Sequence, residues 1–402
     1  MKTIGRLQNT VQHYAWGSST AIPELLGEKN SSGEPWAELW MGAHLKAPSL
    51  VNIEGKWLSL RELIRQQPHD ILGPHVSKTF HNTLPYLFKV LAAAKPLSIQ
   101  AHPSVNQAKE GFERENRQAI PLDAATRNYR DDNHKPECLC ALSRFYALYG
   151  FRNISDIIDM MTMACPVGLA AELAQLRNNP DSHGLKIFYA NLMTMESARQ
   201  KRVVAEALQN MPNRADRDCF YWIKRLAEEY PTDIGILSPM LLNLICLKPG
   251  QALFLPAGEL HAYLEGLGIE LMANSDNVLR GGLTPKHIDL PELLKVVQFE
   301  PRSISTLKAV RIDDNDNETV FMNPADEFVL SLIIVSEASS YLNTNSRSVE
   351  ILLCTDGEAL MQDLGNKTRM KIKKGNSVVI PAAVKGYSIN GRAVFYKAAV
   401  PI

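Results

Sequence analysis

A chain of 402 residues, 45% hydrophobic and 21% charged, is long enough for two or three domains and has the make-up of an ordinary globular protein. Lys plus Arg and Asp plus Glu both total 43, so the formal net charge is zero, no global field draws the molecule to nucleic acid or an anionic membrane, and any cationic site must be local. Six scattered cysteines, a start without a signal-length apolar run, and a most apolar stretch of eight residues (Phe328 to Val335), against the roughly 20 of a membrane helix, predict a cytoplasmic chain with reduced thiols.

In chain order, residues 35 to 150 read as short strands separated by turns, notably Leu84 to Val90, Leu97 to Ala101 and Glu137 to Leu142. Helices are expected over Leu58 to Ile71 and after Pro103, where Ser104 and Gln107 have the spacing of a capping box. From 151 to 232 the apolar period lengthens, with Ile154, Ile157, Ile158 and Met161, then Leu185, Phe188, Tyr189 and Leu192, at helical 3/4 spacing. Strand-rich stretches follow from Leu241 and again from about 327, the latter containing the buried-strand pattern of Phe328 to Val335. The predicted fold is mainly β with an α-helical insert, divided as 1–150 with 233–300, 151–232, and 301–402.

An internal echo supports two related β units. Lys248-Pro-Gly-Gln-Ala-Leu-Phe-Leu-Pro-Ala-Gly258 matches Lys373-Lys-Gly-Asn-Ser-Val-Val-Ile-Pro-Ala-Ala383 at a constant spacing of 125 residues. Each copy is a glycine turn, a short apolar strand and a Pro-Ala break, as at the corner of a small antiparallel barrel. Such segments also recur by chance in all-β proteins. The first copy runs on to His261, whereas the second has Gly386 at the aligned position and no histidine follows His287. The C-terminal barrel is therefore expected to hold no metal.

Three segments could carry chemistry. In Leu97-Ser-Ile-Gln-Ala-His-Pro103, strand alternation puts Ser98, Gln100 and His102 on one face, where a Gln and a His two apart can reach a single ion. Taken alone, the segment fits a solvated strand face equally well. In Asn133-His-Lys-Pro-Glu137 the same alternation groups Lys135 with Glu137 and turns Cys138 and Cys140 the other way, a Cys-x-Cys pair better read as core packing than as a second metal motif. His261 adds a second imidazole, and two His, one Glu and one Gln suit a four-ligand mixed nitrogen and oxygen zinc site. In Asn274-to-Lys286, Arg280 offers a bidentate fork and Lys286 a point charge, a pair suited to a phosphorylated small molecule. No functional argument attaches to His13, His44, His69, His75, His81 or His183.

Together these segments resemble type I mannose-6-phosphate isomerases, zinc enzymes of the cupin superfamily. The likeness runs through Tyr14-Ala-Trp-Gly-Ser18, Ala37-Glu-Leu-Trp-Met-Gly-Ala-His44, Leu87-Phe-Lys-Val90, Leu97 to Pro103, Asn133 to Glu137, His261-Ala-Tyr263 and Ser275 to Lys286. The helical insert and C-terminal part match only in placement. The resemblance implies two cupin-type barrels (jelly rolls), the N-terminal one catalytic and the C-terminal one without metal. It also implies one zinc ion per chain on Gln100, His102, Glu137 and His261, with Arg280 as the catalytic arginine. Lys89, Ser98, Lys135 and Lys286 would line the substrate pocket, with Trp16 and Tyr263 as its walls. The implied reaction is aldose–ketose isomerisation of mannose 6-phosphate and fructose 6-phosphate by zinc-assisted proton transfer through a cis-enediol; separately, a monomer is expected and the balanced charge predicts no nucleic-acid or membrane partner. The general base stays open among Lys135, His134, Glu270 and Asp276.

Two other readings remain. A metal-dependent oxygenase could use two histidines and a carboxylate, although Gln100 and the Arg280/Lys286 pair tell against it. A non-catalytic sugar-phosphate-binding bicupin would bind zinc and ligand without exchanging the sugar C2 proton.

Overall fold

The computed structural model describes residues 1–211, 218–312 and 315–402. Among these residues, alternating side chains build two antiparallel sheets, one 10-stranded and one 11-stranded. The first is organised on the strand His261–Ala273, which changes partners along its length. Its start lies between Gln100–Ala101 and Phe145–Phe151, and after a register shift between Tyr263 and Glu265 its remainder lies between Tyr86–Ala93 and Glu137–Ala141. One strand thereby ties the singled-out segments together, with His261 at its start paired to Gln100 and Met272 near its end paired to Glu137.

The second sheet has Val329–Val335, Tyr387–Ala399 and Glu350–Asp363 at its centre. At one edge Ser377–Ile380 pairs with Gly5–Gln8, which in turn pairs with Leu50–Ile53. Strands from the first sixty residues thus complete the C-terminal sheet. The two sheets share an apolar core in which Cys138 and Cys140 meet Ile351, Leu353 and Tyr396, so the Cys-x-Cys pair is core packing. All six cysteines are free, and burial pushes the Cys140 thiol up to about 12. The two echo segments form the same local structure. Gly250 and Gly375 both adopt left-handed φ, 83° and 84°, before the strands Ala252–Leu255 and Ser377–Ile380.

The 151–232 stretch supplies the helices Ile154–Ala164, Ala170–Asn178, Ser182–Met193, Ser197–Asn210 and Cys219–Glu229. Their apolar faces enclose Trp222, Leu226 and Phe188 and close over Leu148, Phe151 and Leu260 of the first sheet. Asp181 and Asp218 cap two of these helices through backbone N–H groups. The capping box at Ser104 and Gln107 forms as expected and starts the helix Val105–Arg117. Two expectations need correction. Leu58 to Ile71 is not one helix: Lys56–Ser59 is a strand, Leu60–Gln66 is helical, and Pro68 opens a separate turn, Pro68–Ile71. Of Leu97 to Ala101 only Gln100–Ala101 pairs as strand, because its partners Leu279–Arg280 and His261 are themselves short or shared. No helix among the described residues is long and apolar enough to cross a membrane.

Candidate metal centre and anion pocket

Gln100 lies in register with His261 on one side and Arg280 on the other, so backbone pairing alone sets an amide, an imidazole and a guanidinium side by side. The alternation read from sequence holds: Leu97, Ile99 and Ala101 are buried in apolar surroundings while Ser98 and Gln100 turn to the site. Gln100 donates its amide N–H to Ser98 Oγ at 3.3 Å, which leaves its carbonyl oxygen for another partner.

His102, Glu137 and His261 converge so that one ligand atom from each lies within 4.8 Å of the others. His102 Nε2 is 3.2 Å from Glu137 Oε1, and His261 Nε2 is 3.5 Å from Glu137 Oε2. Each ring is oriented through its other nitrogen. His102 Nδ1 donates to the Asn277 carbonyl at 2.8 Å and His261 Nδ1 to the Glu259 carbonyl at 3.0 Å, leaving both Nε2 lone pairs facing the carboxylate. Burial, then the charge of Lys135, pulls the His102 ring down to about 4, so it is a neutral imidazole at neutral pH. Its Nε2 is buried without a hydrogen-bond partner among the described residues, a cost that a bound cation would remove. Burial opposes ionisation of Glu137, but Lys135, foremost among its neighbours, outweighs it and holds the carboxyl well below the usual range. Lys135 Nζ sits 3.1 Å from Glu137 Oε1 and Tyr263 donates its hydroxyl to Oε2 at 3.4 Å.

Behind this set lies a second buried layer. Lys89 Nζ is 3.0 Å from Glu270 Oε2 and 3.7 Å from Glu38 Oε1, and Trp40 donates to Glu38 Oε2 at 2.6 Å. Burial disfavours the Lys89 charge, but Glu270 and Glu38 outweigh it and keep the ammonium protonated. Glu270 moves the opposite way, raised by burial and by repulsion from Glu137 and Glu38 despite Lys89. Both follow from one lysine shared among several carboxylates. Trp16, stacked on Tyr14 at 5.7 Å, packs on the cluster that contains Tyr263.

The cationic side of the site holds Arg280, Lys286 and Arg130. Among the described residues none of the three is paired with a carboxylate, and burial, then mutual repulsion, lowers the affinity of Arg280 and Lys286 for their protons. Unpaired cations gathered beside metal-type ligands make an anion pocket.

His102, Glu137, His261, Lys135 and Tyr263 are brought together directly, Gln100 is in register with His261 and Arg280 and bonded to Ser98, and Lys286 is exposed. Arg130, Asn277 and Glu259 were not selected. Asn277 is fully buried, accepts from the backbone N–H of Arg130 at 2.7 Å, and donates to the carbonyls of Asp131 and Asn133, both at 2.8 Å. Its position inside the Ser275-to-Lys286 stretch was the available signal. Glu259 acts through its backbone oxygen, which carries no residue-type signal. Of the base candidates, His134 is turned to Glu327 Oε1 at 2.6 Å and Asp276 is held by Lys46 at 2.7 Å and by His44, so Lys135 and Glu270 stand nearest the convergent ligands.

Fold and site together define a mainly β protein with a candidate metal centre set beside an anion pocket. The family model for the phosphomannose isomerase type I catalytic domain matches residues 4–154, and that for the mannose-6-phosphate isomerase cupin domain matches residues 317–398. The chain is 42% identical over 388 residues to mannose-6-phosphate isomerase of Escherichia coli K12, covering 95% of this chain and 97% of that one. It is 32% identical over 405 residues to the human mannose-6-phosphate isomerase, with 94% and 93% coverage. A crystal structure of a phosphomannose isomerase variant from Salmonella typhimurium superposes with a TM-score of 0.92 at 39% identity, covering 99% of this chain and 100% of that one. A zinc-bound holo mannose 6-phosphate isomerase gives a TM-score of 0.91 at 39% identity with the same coverage. The chain belongs to the type I mannose-6-phosphate isomerase family.

Proposed function

We propose that this chain interconverts D-mannose 6-phosphate and D-fructose 6-phosphate, with one zinc ion held by Gln100, His102, Glu137 and His261. The observation that carries the metal assignment is the buried, partnerless Nε2 of His102, aimed with His261 Nε2 at a carboxylate held in its charged form. The ligand set contributes one negative charge, so the loaded site stays cationic. Bound zinc supplies Lewis acidity toward the sugar oxygens.

The chain's own groups do the rest. Arg280, in register with Gln100, stabilises negative charge that develops as the C2 proton leaves and the cis-enediol forms, and it does so without reorganising. Lys286 and Arg130, beside Arg280 and equally unpaired, hold the 6-phosphate, whose binding energy orients carbons distant from it. Lys89, fixed between Glu270 and Glu38, and Ser98 and Lys135 line the sugar pocket, with Trp16 and Tyr263 as apolar walls. Lys135 and Glu270 are the proton carriers best placed for transfer between C1 and C2.

This reading divides the chain into a catalytic cupin barrel (1–150 with 233–300), a helical domain (151–232) and a C-terminal cupin-like barrel without metal (301–402), corrected in that Gly5–Gln8, Leu50–Ile53 and Lys56–Ser59 join the sheet of the last, working as a cytoplasmic monomer. The free thiols support a reducing compartment. Metal analysis and mannose 6-phosphate conversion on one sample test the proposal. We expect about one zinc per chain and exchange of the C2 proton with solvent during turnover. A preparation that binds zinc and sugar phosphate yet never exchanges that proton overturns it.

A further inference from the structure

The C-terminal sheet lines a second polar cavity, open to solvent and of about 580 Å³, made from none of the residues discussed so far as a site. At its base Lys397 Nζ lies 2.7 Å from Glu318 Oε1 and 3.3 Å from Glu350 Oε1. Tyr341 donates to Glu318 Oε2 at 2.7 Å and Tyr387 to Glu350 Oε2 at 2.8 Å. The side chains of Lys397, Glu318 and Glu350 are only 8%, 5% and 2% exposed. Four different strands, Asn315–Phe321, Tyr341–Asn343, Glu350–Asp363 and Tyr387–Ala399, contribute to this cluster. Apolar side chains of the same volume would hold these strands at least as well, because taking charges out of water costs more than a merely structural ion pair returns.

Arg347 makes the cavity more than a buried ion cluster. Its side chain is 6% exposed and lines the cavity, yet its Nε and Nη2 have no hydrogen-bond partner among the described residues. The guanidinium is held loosely, by a 3.4 Å bond from Nη1 to the Asn345 carbonyl, a 4.0 Å approach of Nε to Glu350 Oε2 and a position over the Tyr387 ring at 5.4 Å. Nε–H and Nη2–H lie on one edge of the guanidinium plane, the edge that takes a carboxylate or phosphate by two parallel bonds. With no strong partner fixing the group, a small rotation of Arg347 turns that edge toward an incoming oxyanion. Around it, Ser340, Asn343, Thr344 and Ser346 line the cavity with hydroxyl and amide groups.

We propose that this cavity is a second ligand site, separate from the isomerase centre, for a hydroxyl-rich small acid. The ligand's oxyanion would dock on Arg347 and its hydroxyls on the Glu318, Glu350 and Asn343 acceptors. Sugar acids and sugar phosphates share this chemistry. The site lies in the part of the chain that contributes none of the metal-type ligands, so its occupancy is separable from catalysis.

Calorimetry on the zinc-loaded full chain tests the assignment, using D-gluconate, D-glucose 6-phosphate and sorbitol as probes in a background carrying Arg130→Ala and Lys286→Ala, which removes phosphate-binding cations of the isomerase site without adding a competing sugar phosphate; turnover is measured without these two changes. Saturable binding of one of the two acids, but not of uncharged sorbitol, is expected. Arg347→Met should weaken it about tenfold or more, as loss of a charged bidentate contact requires, while turnover of mannose 6-phosphate stays unchanged. Whether gluconate or glucose 6-phosphate is the tighter probe tells a carboxylate ligand from a phosphate one. Ser346→Trp, at an exposed wall position, fills the cavity without touching the ion cluster and should produce the same loss, which keeps the test decisive if Arg347→Met folds poorly. Absence of saturable binding by both acids, or binding that neither variant weakens, overturns the proposal.

Discussion

Replacing Gly281 with alanine would place a Cβ 2.7 Å from the Tyr189 hydroxyl, 3.1 Å from Leu260 Cδ2 and 3.3 Å from Ile99 Cγ2. Ordinary contact lies near 3.5 Å, so the strand must retreat by about half an ångström or more, or Tyr189 must move. Tyr189 is 3% exposed, is packed against Phe151 and Phe299, and donates its hydroxyl to the Gly281 carbonyl at 3.0 Å. The tyrosine is therefore the fixed partner, and the displacement passes to Arg280, the adjacent residue. Misplacing a transition-state donor by about 1 Å can cost about a hundredfold in rate, so half of that predicts a loss in kcat of about tenfold with zinc content unchanged. Tyr189→Phe alone removes one neutral hydrogen bond, worth about 1 kcal/mol of stability, and should leave turnover near the parent value. In the double variant the worst overlap is gone, and kcat should recover by about threefold or more relative to Gly281→Ala alone. Steady-state kinetics on the four proteins, with metal analysis of each, measures the coupling. Full activity in Gly281→Ala, or a double variant no better than the single one, would refute the reasoning that the helical insert sets the arginine's position through Tyr189.

Arg280→Ala should keep zinc near the parent content and lower turnover by about a hundredfold or more; parent-like kinetics would remove the arginine from the proposed chemistry. Chelation should abolish activity and added zinc restore it, because the ligands are fixed by their carbonyl partners before metal arrives; activity that survives complete zinc removal would contradict the site. Asn277→Ala leaves the backbone groups of Arg130, Asp131 and Asn133 without their shared partner, and should cost about 3 kcal/mol in urea unfolding. Acid unfolding provides a fourth check. Burial opposes ionisation of Glu318, but Lys397 and Tyr341 outweigh it and hold its pKa below the ordinary 4.5. Its contribution to stability is then complete above that ordinary value and disappears as pH falls through the lower folded-state value. Glu318→Gln should accordingly flatten the pH dependence of the unfolding free energy below about pH 5; an unchanged slope would mean the carboxyl is not held in that way.

Much of the site was legible because strand periodicity is a strong local rule. Ser98, Gln100 and His102 could be put on one face of their segment, and Cys138 and Cys140 on the face of theirs opposite Glu137, from alternation alone; Ser98 and Gln100 are part-exposed between buried Leu97, Ile99 and Ala101, and the cysteines lie in the apolar core. The echo was legible for a similar reason: a left-handed glycine followed by a short apolar strand leaves the same mark at 250 and at 375. What escaped depends on contacts between distant residues. The carbonyls that orient His102 and His261 belong to Asn277 and Glu259, and a backbone oxygen looks alike in every residue. Arg130 was missed because only the folding of its loop against Asn277 brings it beside Arg280 and Lys286. The expected helix over 58–71 failed at both ends, where Lys56–Ser59 was claimed by sheet pairing and Pro68 imposed a break.

The pairing of Gly5–Gln8 with Ser377–Ile380 imposes an order of events on synthesis. A segment near the beginning of the chain waits for a partner made some 370 residues later, which at ribosomal speeds is about 20 to 70 seconds. Throughout that interval the edge of it that Leu50–Ile53 does not cover is open to strangers, and closing so long a loop is slow. Nascent chains of this protein should therefore depend on holding chaperones until translation is nearly finished.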